Sequence, residues 1–391
     1  MLVKMKNLRA KCFMFGCVIL CIIVAAVAFS DDFSSQPQKA LIMAIVAHPD
    51  DEPSALLACY GGGLGLPVIW VQMTSGDAWC GGKIPAGPKC GAVREKESLD
   101  AARNYGMKNP PIFGRYVDCC GWKKDRLAEN LERWGGKEKA LAFVVGLIRK
   151  HRPEVVWTHN VDGEYRHNNH IACSLITREA VLAAADPSRF RDLPEANDPW
   201  KVKKLYLYNH GWNKWYKMDA ILPGLGGRSV AKAAADGYHC HVTQGKDKET
   251  PGSGVRGGLW SSSVGPDVAG DDILENLDLA RWKPRTIYGT VSLPAGQVAP
   301  EGGIRLTMWI VDETNKSWRR FAHIPAGKNG TWFHLLYGMD TGKSYRVGVQ
   351  RDLPGQKKKL FWHRDGMKPE KEADRVTLEK DGAKIDLVAP E

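Results

Sequence analysis

Seven apolar residues, Leu41 to Ala47, run without a polar interruption into His48-Pro49-Asp50-Asp51-Glu52. A strand carries the chain to the edge of a sheet, and Pro49 cannot continue a central ladder. Across the turn that follows, His48 and Asp51 stand three residues apart and can converge on one point. An imidazole and a carboxylate make up two of the three protein ligands of a catalytic zinc site, whose fourth position is left open to water. The third ligand must come from another strand end. The segment THNVDGEYRHNNH, residues 158 to 170, supplies His167 and His170 in an H-x-x-H spacing ahead of a helix. Each cluster alone has an ordinary explanation, since acids at a helix start complement its dipole and polar residues fill surface loops. Two such clusters at the carboxyl ends of strands in one α/β layer would be brought together by the fold.

The elements that must position them alternate from residue 40 to about 210. Leu41–Ala47, Val68–Met73, Arg115–Asp118, Val155–Thr158 and KKLYLY (203 to 208) read as strands. Helical spacing appears from near Asp51 to the Gly61-Gly62-Gly63 cluster, over 92 to 105, over 137 to 150, and after His170. Strands of unbroken hydrophobicity between helices predict an α/β fold, a Rossmann-like, mostly parallel sheet covered by helices on both faces. Residues 211 to 270, rich in Gly, Trp and Ser, read as irregular loops around a cleft. From about residue 284 strand-like segments (TIYGTVSLP, IRLTMWIVDE, WFHLLYG, SYRVGVQRD, KIDLVAP) predict a small all-β sandwich to residue 391. The expected organisation is a leader over 1–28, a catalytic domain over 38–280 and an accessory sandwich over 284–391.

Lys4, Lys6, Arg9 and Lys11 precede an apolar run from Cys12 to Phe29, and Ala26-Val27-Ala28 has the small-x-small pattern of a signal-peptidase site. This predicts export; the alternative is an uncleaved membrane anchor over residues 12–29, because the run approaches the about 20 residues of a spanning helix. Without those four cations the formal charge falls from +11 to +7, modest for 391 residues. There is no basic helix and no zinc-finger spacing, so nucleic acid is a poor candidate partner, and no partner protein is implied. Cys12, Cys17 and Cys21 belong to the leader, and of the remaining seven Cys80 and Cys90 flank a Gly/Pro-rich loop that suits a local bridge.

AHPDDE followed by GEYRHNNH resembles the zinc-dependent deacetylases of the LmbE/PIG-L family. VIWVQMTSGD, REKESLDAARNYGM, KKLYLY, HVTQ (241 to 244) and GLWSSSVGPDVAGDDILENL are similar to further segments of that family, so the resemblance covers about residues 40 to 280. It implies one zinc ion per chain, held by His48, Asp51 and His170. It makes Asp50 the general base, His167 a protonated donor to the oxyanion or leaving amine, and Tyr165 a second oxyanion donor. Arg94 would hold Asp50 or the substrate. Substrate contacts are expected from His241, Asp77 and Arg166, the last replacing a common glycine. Asn169 stands where an acid is frequent, which should leave His167 less basic. Glu52 reads as support for the turn. The activity implied is removal of acetyl from an N-acetylated sugar, an N-acetylglucosamine-like unit of a glycan or glycolipid. A zinc amidohydrolase acting on a non-sugar amide, and a non-catalytic glycan-binding protein, are the competing readings.

Overall fold

The structure is a computed structural model. It describes residues 33, 35–37, 39–122, 126–193, 198–210, 215–218, 222–248, 251, 254–267, 272–335, 342–351, 360–362, 375–378 and 383–389. The leader expectation lies outside the described residues. Five parallel strands form the frame: β1 (Ile42–Val46), β2 (Val68–Thr74), β3 (Ile112–Tyr116), β4 (Val155–Thr158) and β5 (Lys204–Tyr208). The antiparallel strands β6 (Trp215–Lys217) and β7 (Gly254–Ser262) extend one edge, giving the order β3-β2-β1-β4-β5-β7-β6.

Helical segments cover the sheet. The first, α1, runs Ser54–Leu56 as α-helix and continues over Leu57–Gly63 as π-helix. It is followed by α2 (Pro88–Asn104), α3 (Leu127–Arg133), α4 (Lys137–His151), α5 (Asn168–Ala185) and α6 (Val230–Tyr238). They form two packed groups, α3 with α4 and α5, and α1 with α2 and α6. Because strand side chains alternate faces, Met43, Ile45 and Ala47 join the core cluster of Leu141, Val144, Ile148 and Ile176, while every position of β1 is buried. Both faces of β1 are covered, which is why its sequence shows no polar alternation.

The strand order grows away from β1 in one direction and from β4 in the other, and loops leaving the carboxyl ends of these neighbours open a crevice between them. Ala44 pairs with Trp157, so the residues following β1 and β4 arrive at the same level. The Ala47 N–H donates to His159 Nε2 at 2.9 Å and stitches the two ends together.

The third strand starts and ends before the expected Arg115–Asp118, which leaves Asp118 beyond the sheet edge. Residues 211–270 hold α6, β6 and β7 where loops were expected. The reason is local: β7 (GVRGGLWSS) carries a single β-branched residue, Val255, and glycines where its backbone passes close to neighbours; a Cβ on Gly257 would stand 2.1 Å from the Trp157 ring.

The C-terminal region contains β8 (Ile287–Ser292), β9 (Ile304–Val311), β10 (Ser317–Ile324), β11 (Gly330–His334), β12 (Ser344–Arg351), β13 (Leu360–Trp362), β14 (Arg375–Thr377) and β15 (Ala383–Val388). One sheet has the order β10-β9-β12-β13 with β14 also on β12, the other β11-β8-β15, with β15 parallel to β8. Leu306, Met308, Ile310 and Val347 meet Ile287, Val291 and Leu387 in a shared core. The sequence reading omits β10, where Arg319-Arg320 interrupts the hydrophobic pattern. Arg320 is buried because it is paired across a seam. Its Nη2 lies 2.9 Å from Asp272 Oδ2, which His334 Nδ1 also meets at 2.8 Å. Oδ1 of the same carboxylate accepts from Tyr60 of α1 at 2.7 Å and from the Leu274 N–H at 2.9 Å. Burial alone would raise the pKa of Asp272, but His334 and Arg320 outweigh it and hold the group well below the usual carboxylate range.

Candidate active site

The turn after β1 brings His48 Nδ1 to 2.9 Å from Asp51 Oδ2. His170, at the start of α5, places Nε2 3.2 Å from the same oxygen and 3.2 Å from His48 Nδ1. The outer nitrogens define what these inner atoms carry. His170 Nδ1 lies 2.8 Å from Glu164 Oε2 and donates to it, leaving a lone pair on Nε2. His48 Nε2 lies 3.2 Å from Asp118 Oδ1 and 2.9 Å from Asn169 Nδ2, and donation to Asp118 leaves the lone pair on Nδ1. Three acceptor atoms thus form a nearly equilateral triangle with no hydrogen of their own to share. Ligands of tetrahedral zinc, at bonds of about 2.0–2.1 Å, are separated by about 3.3 Å, so the donor set fits such an ion. Burial lowers the pKa of His48, but Asp118 and Asp51 outweigh it and push it up to about 10.

Two other histidines crowd the same point, since His167 falls within ligand distance of His48 and His170, and His159 of Asp51 and His170. His159 uses both of its nitrogens elsewhere, and His167 uses Nδ1. His159 Nε2 accepts from Ala47, and its Nδ1 donates to Glu164 Oε2 at 2.7 Å. His167 Nδ1 accepts the Asn169 N–H at 3.3 Å, which puts its proton on Nε2. Burial, then the neighbouring His48 and His170, bring His167 down to about 3. It is therefore neutral near neutrality, whereas the resemblance implied a protonated group.

Asp50 is adjacent to Asp51 but faces another way. Its φ of 93° is a strained value for a residue with a Cβ. The backbone is held there by Glu52 Oε2, which accepts the Asp50 N–H at 3.1 Å. Arg94, rising from α2, donates Nη2 to Asp50 Oδ1 at 2.7 Å and Nη1 to the Gly76 carbonyl at 2.8 Å. Gly76 is required twice over, by its φ of +65° and because a Cβ would stand 2.2 Å from Arg94 Nη1. Burial pushes Asp50 up to about 6 against the pull of Arg94, within the range of a base that works near neutrality. Lys246 Nζ lies 3.8 Å from its other oxygen.

These groups open onto a cleft of about 330 Å³, lined among others by Asp50, Asp51, His170, Tyr165, Tyr208 and Lys246. The Tyr165 hydroxyl is 3.5 Å from His170 Nε2. The structure thus brings His48, Asp51, His170, Asp50, Arg94, Tyr165 and His167 to one place.

The three expected substrate contacts are not brought there. His241 is fully buried, with Nε2 2.9 Å from Glu52 Oε1, because the third acid of that turn is buried and needs a cation. Asp77 caps a loop, accepting the Asp118 N–H at 3.3 Å. Arg166 is exposed, at φ 61°, and does not line the cleft. The lowered His167 agrees with the less basic ring expected beside Asn169, whose side chain reaches Asp118 Oδ1 at 2.6 Å and His48 Nε2 at 2.9 Å. An aspartate there would oppose Asp118. All seven described cysteines are free; the thiols of Cys80 and Cys90 turn to the carbonyls of Cys90 and Gly76 instead of bridging.

Sequence reasoning missed Glu164, Asp118 and Lys246. Glu164 stood in plain view inside GEYRHNNH, and Asp118 closed a predicted strand, a position that itself points to a site. Lys246 carried no sequence signal.

Residues 43–181 match the PIG-L family, described as GlcNAc-PI de-N-acetylase. A 1D-myo-inositol 2-acetamido-2-deoxy-alpha-D-glucopyranoside deacetylase of Rhodococcus erythropolis is 32% identical over 179 residues, covering 42% of this chain and 59% of the relative. The chain thus spans little more than half of that relative's length. The Streptomyces avermitilis protein of the same name is 30% identical over 227 residues, covering 51% of this chain and 72% of the relative. Among solved structures, an N,N'-diacetylchitobiose deacetylase from Pyrococcus horikoshii is 21% identical, covering 52% of this chain and 70% of its own, at a TM-score of 0.38.

Proposed function

Because this chain belongs to the PIG-L family, we propose that its cleft hydrolyses the acetamide of an N-acetylglucosamine-containing saccharide, giving acetate and a free amine. The observation that carries this reading is the split between two adjacent acids. Asp51 Oδ2 joins the lone pairs of His48 and His170, while Asp50 turns away and keeps its carboxylate for Arg94 and the cleft. His48, Asp51 and His170 would hold one divalent ion of the zinc type, which when bound supplies Lewis acidity toward water and the amide carbonyl.

The side chains divide the rest. Asp50 accepts the proton of the attacking water, with Arg94 fixing its carboxylate so that one oxygen stays available. The Tyr165 hydroxyl and the neutral Nε2–H of His167 donate to the acetamide oxygen as it gains charge. With His167 neutral, the departing nitrogen takes its proton back from Asp50. Glu164 and Asp118 keep His170 and His48 in the tautomers whose lone pairs point inward.

The leader sequence extends the reading to an exported enzyme acting on a glycan or glycolipid. The mass of the mature protein tests this, with loss of residues 1–28 expected. Activity is tested by supplying the zinc-loaded protein with a panel of N-acetylglucosamine saccharides and measuring acetate and amine together. Equal release of the two is expected from at least one saccharide, and acetate release from none would overturn the proposal.

A further inference from the structure

Cys119 and Cys120 are neighbours in sequence and in space: the Cys120 thiol donates to Cys119 Sγ at 2.9 Å. They sit in the middle of a segment that touches both halves of the metal triangle. Before them, Asp118 Oδ1 lies 3.2 Å from His48 Nε2 and accepts from Asn169 Nδ2 at 2.6 Å. After them, the Gly121 carbonyl accepts the N–H and the side-chain Nδ2 of Asn168, each at 2.9 Å. Asn168 and Asn169 open α5, which carries His170. A third link starts at the sulfur itself, since Asn130 Nδ2 donates to Cys119 Sγ at 3.2 Å and also to Asn169 Oδ1. Cys120 takes a φ of 71°, which a residue with a Cβ adopts rarely. Each cysteine is 9% exposed, at the outer edge of the interior.

We propose that Cys119 and Cys120 form a thiol–disulfide switch that sets the grip of the site on its metal. This rests on the metal triangle of the reading above and not on its substrate. With both thiols reduced, the turn keeps Asp118 on His48 and Gly121 on the start of α5. Oxidation joins the sulfurs by a bond of about 2.05 Å, in a small ring that takes in the peptide between the two residues. Neighbouring Cα atoms stand about 3.8 Å apart, closer than the ~4.4–6.8 Å of ordinary disulfides, so the ring closes only if the turn changes shape. Asp118 and Gly121 flank that ring and must follow. The same strain makes the bridge easy to reduce, as regulatory disulfides are. The oxidant is a small disulfide such as oxidised glutathione. Burial, then Cys120, push the Cys119 thiol up to about 12, so the first attack falls to Cys120. Its sulfur loses a proton, bonds to one sulfur of the oxidant and expels the other as a thiolate. Cys119 Sγ then loses its proton and displaces the second thiolate. The protein gives up two hydrogens, and the oxidant takes them up as two thiols.

The test treats the full-length, metal-free chain with oxidised glutathione near the ordinary thiol pKa, at about pH 8.5, and then removes the reagent. Both cysteines lie in one tryptic peptide, residues 116–123, so the bridge reads as the loss of two hydrogens from that peptide. Zinc affinity is measured next, by competition with a chelator. Oxidised wild type should bind zinc about 10–100-fold more weakly than reduced wild type, the size of effect that follows loss of a ligand's orienting partner. Dithiothreitol should restore it. Cys119→Ser and Cys120→Ser should each bind zinc like the reduced wild type and ignore the oxidant. A peptide that keeps its hydrogens, or carries glutathione in place of the bridge, would overturn the switch. An equal fall of affinity in Cys120→Ser would do the same, by moving the redox centre to other cysteines such as Cys80 and Cys90. Zinc held equally in the bridged and reduced wild type overturns the switch alone, whereas no zinc in the reduced wild type overturns the metal reading on which it rests.

Discussion

Two aspartates, the partly buried Asp51 in the cleft and the buried Asp272 at the seam with the β-sheets, keep nearly the same company, yet their surroundings have opposite meanings. Asp272 meets a donor at each contact, from Tyr60, Leu274, Arg320 and His334, and does not line the cleft. Its charge is fully answered, and such a cluster holds elements together. Asp51 shares one oxygen with two imidazole nitrogens whose protons are committed outward, to Glu164 and Asp118. The set turns its lone pairs toward one point, and it opens onto a cleft. Residue types and burial do not separate a structural ion cluster from a chemical one. The direction of the protons does.

The sharpest break in this comparison is the pair Asp51→Ala and Asp272→Ala. Asp51→Ala should abolish stoichiometric metal and lower acetate release at least about a thousandfold. Asp272→Ala should keep its metal but lose about 3–5 kcal/mol of stability, since a buried pair is broken and its cationic partners remain. Metal analysis beside denaturant unfolding reads both, and an exchange of the two phenotypes would refute the distinction. Next in size, Glu164→Gln should weaken metal binding about 10–100-fold by loosening the tautomer of His170, which competition with a chelator measures.

The sheet and the inner site were legible in the sequence because each had a local signature. An apolar run ending in His48-Pro49-Asp50-Asp51 specifies both a strand and its chemistry, and GEYRHNNH places His170 at a helix start. The partners that decide proton direction were less legible. Asp118 is linked to His48 across 70 residues by the adjacency of strand ends, which no spacing in the chain encodes. The same holds for His241, whose motif suggested a cleft but whose imidazole answers Glu52 in the interior. The seam was illegible for a related reason, because Arg320 reads as a break in a strand until Asp272 is seen opposite it.

A smaller effect concerns pH. Asp272 has its native pKa depressed by His334 and Arg320, so below about pH 4 the unfolded chain takes up a proton that the native state refuses. Its contribution is complete above that pH and is lost as pH falls through the depressed native value. Wild-type stability should therefore decline more steeply from about pH 4 to pH 2 than that of Asp272→Asn; parallel urea-unfolding curves would contradict this. The least effect is expected of Arg166→Ala, within about 0.5 kcal/mol in stability and without change in turnover, because the side chain is exposed and outside the cleft. A tenfold rise in KM would restore Arg166 as a substrate contact.

The central claim is that adjacent acids divide the work, Asp51 for the metal and Asp50 for the proton. One measurement tests it most directly: metal content and acetate release determined together on Asp50→Asn. The account predicts one zinc per chain with turnover reduced about 10²–10⁴-fold. Loss of the metal, or retention of turnover, would contradict it.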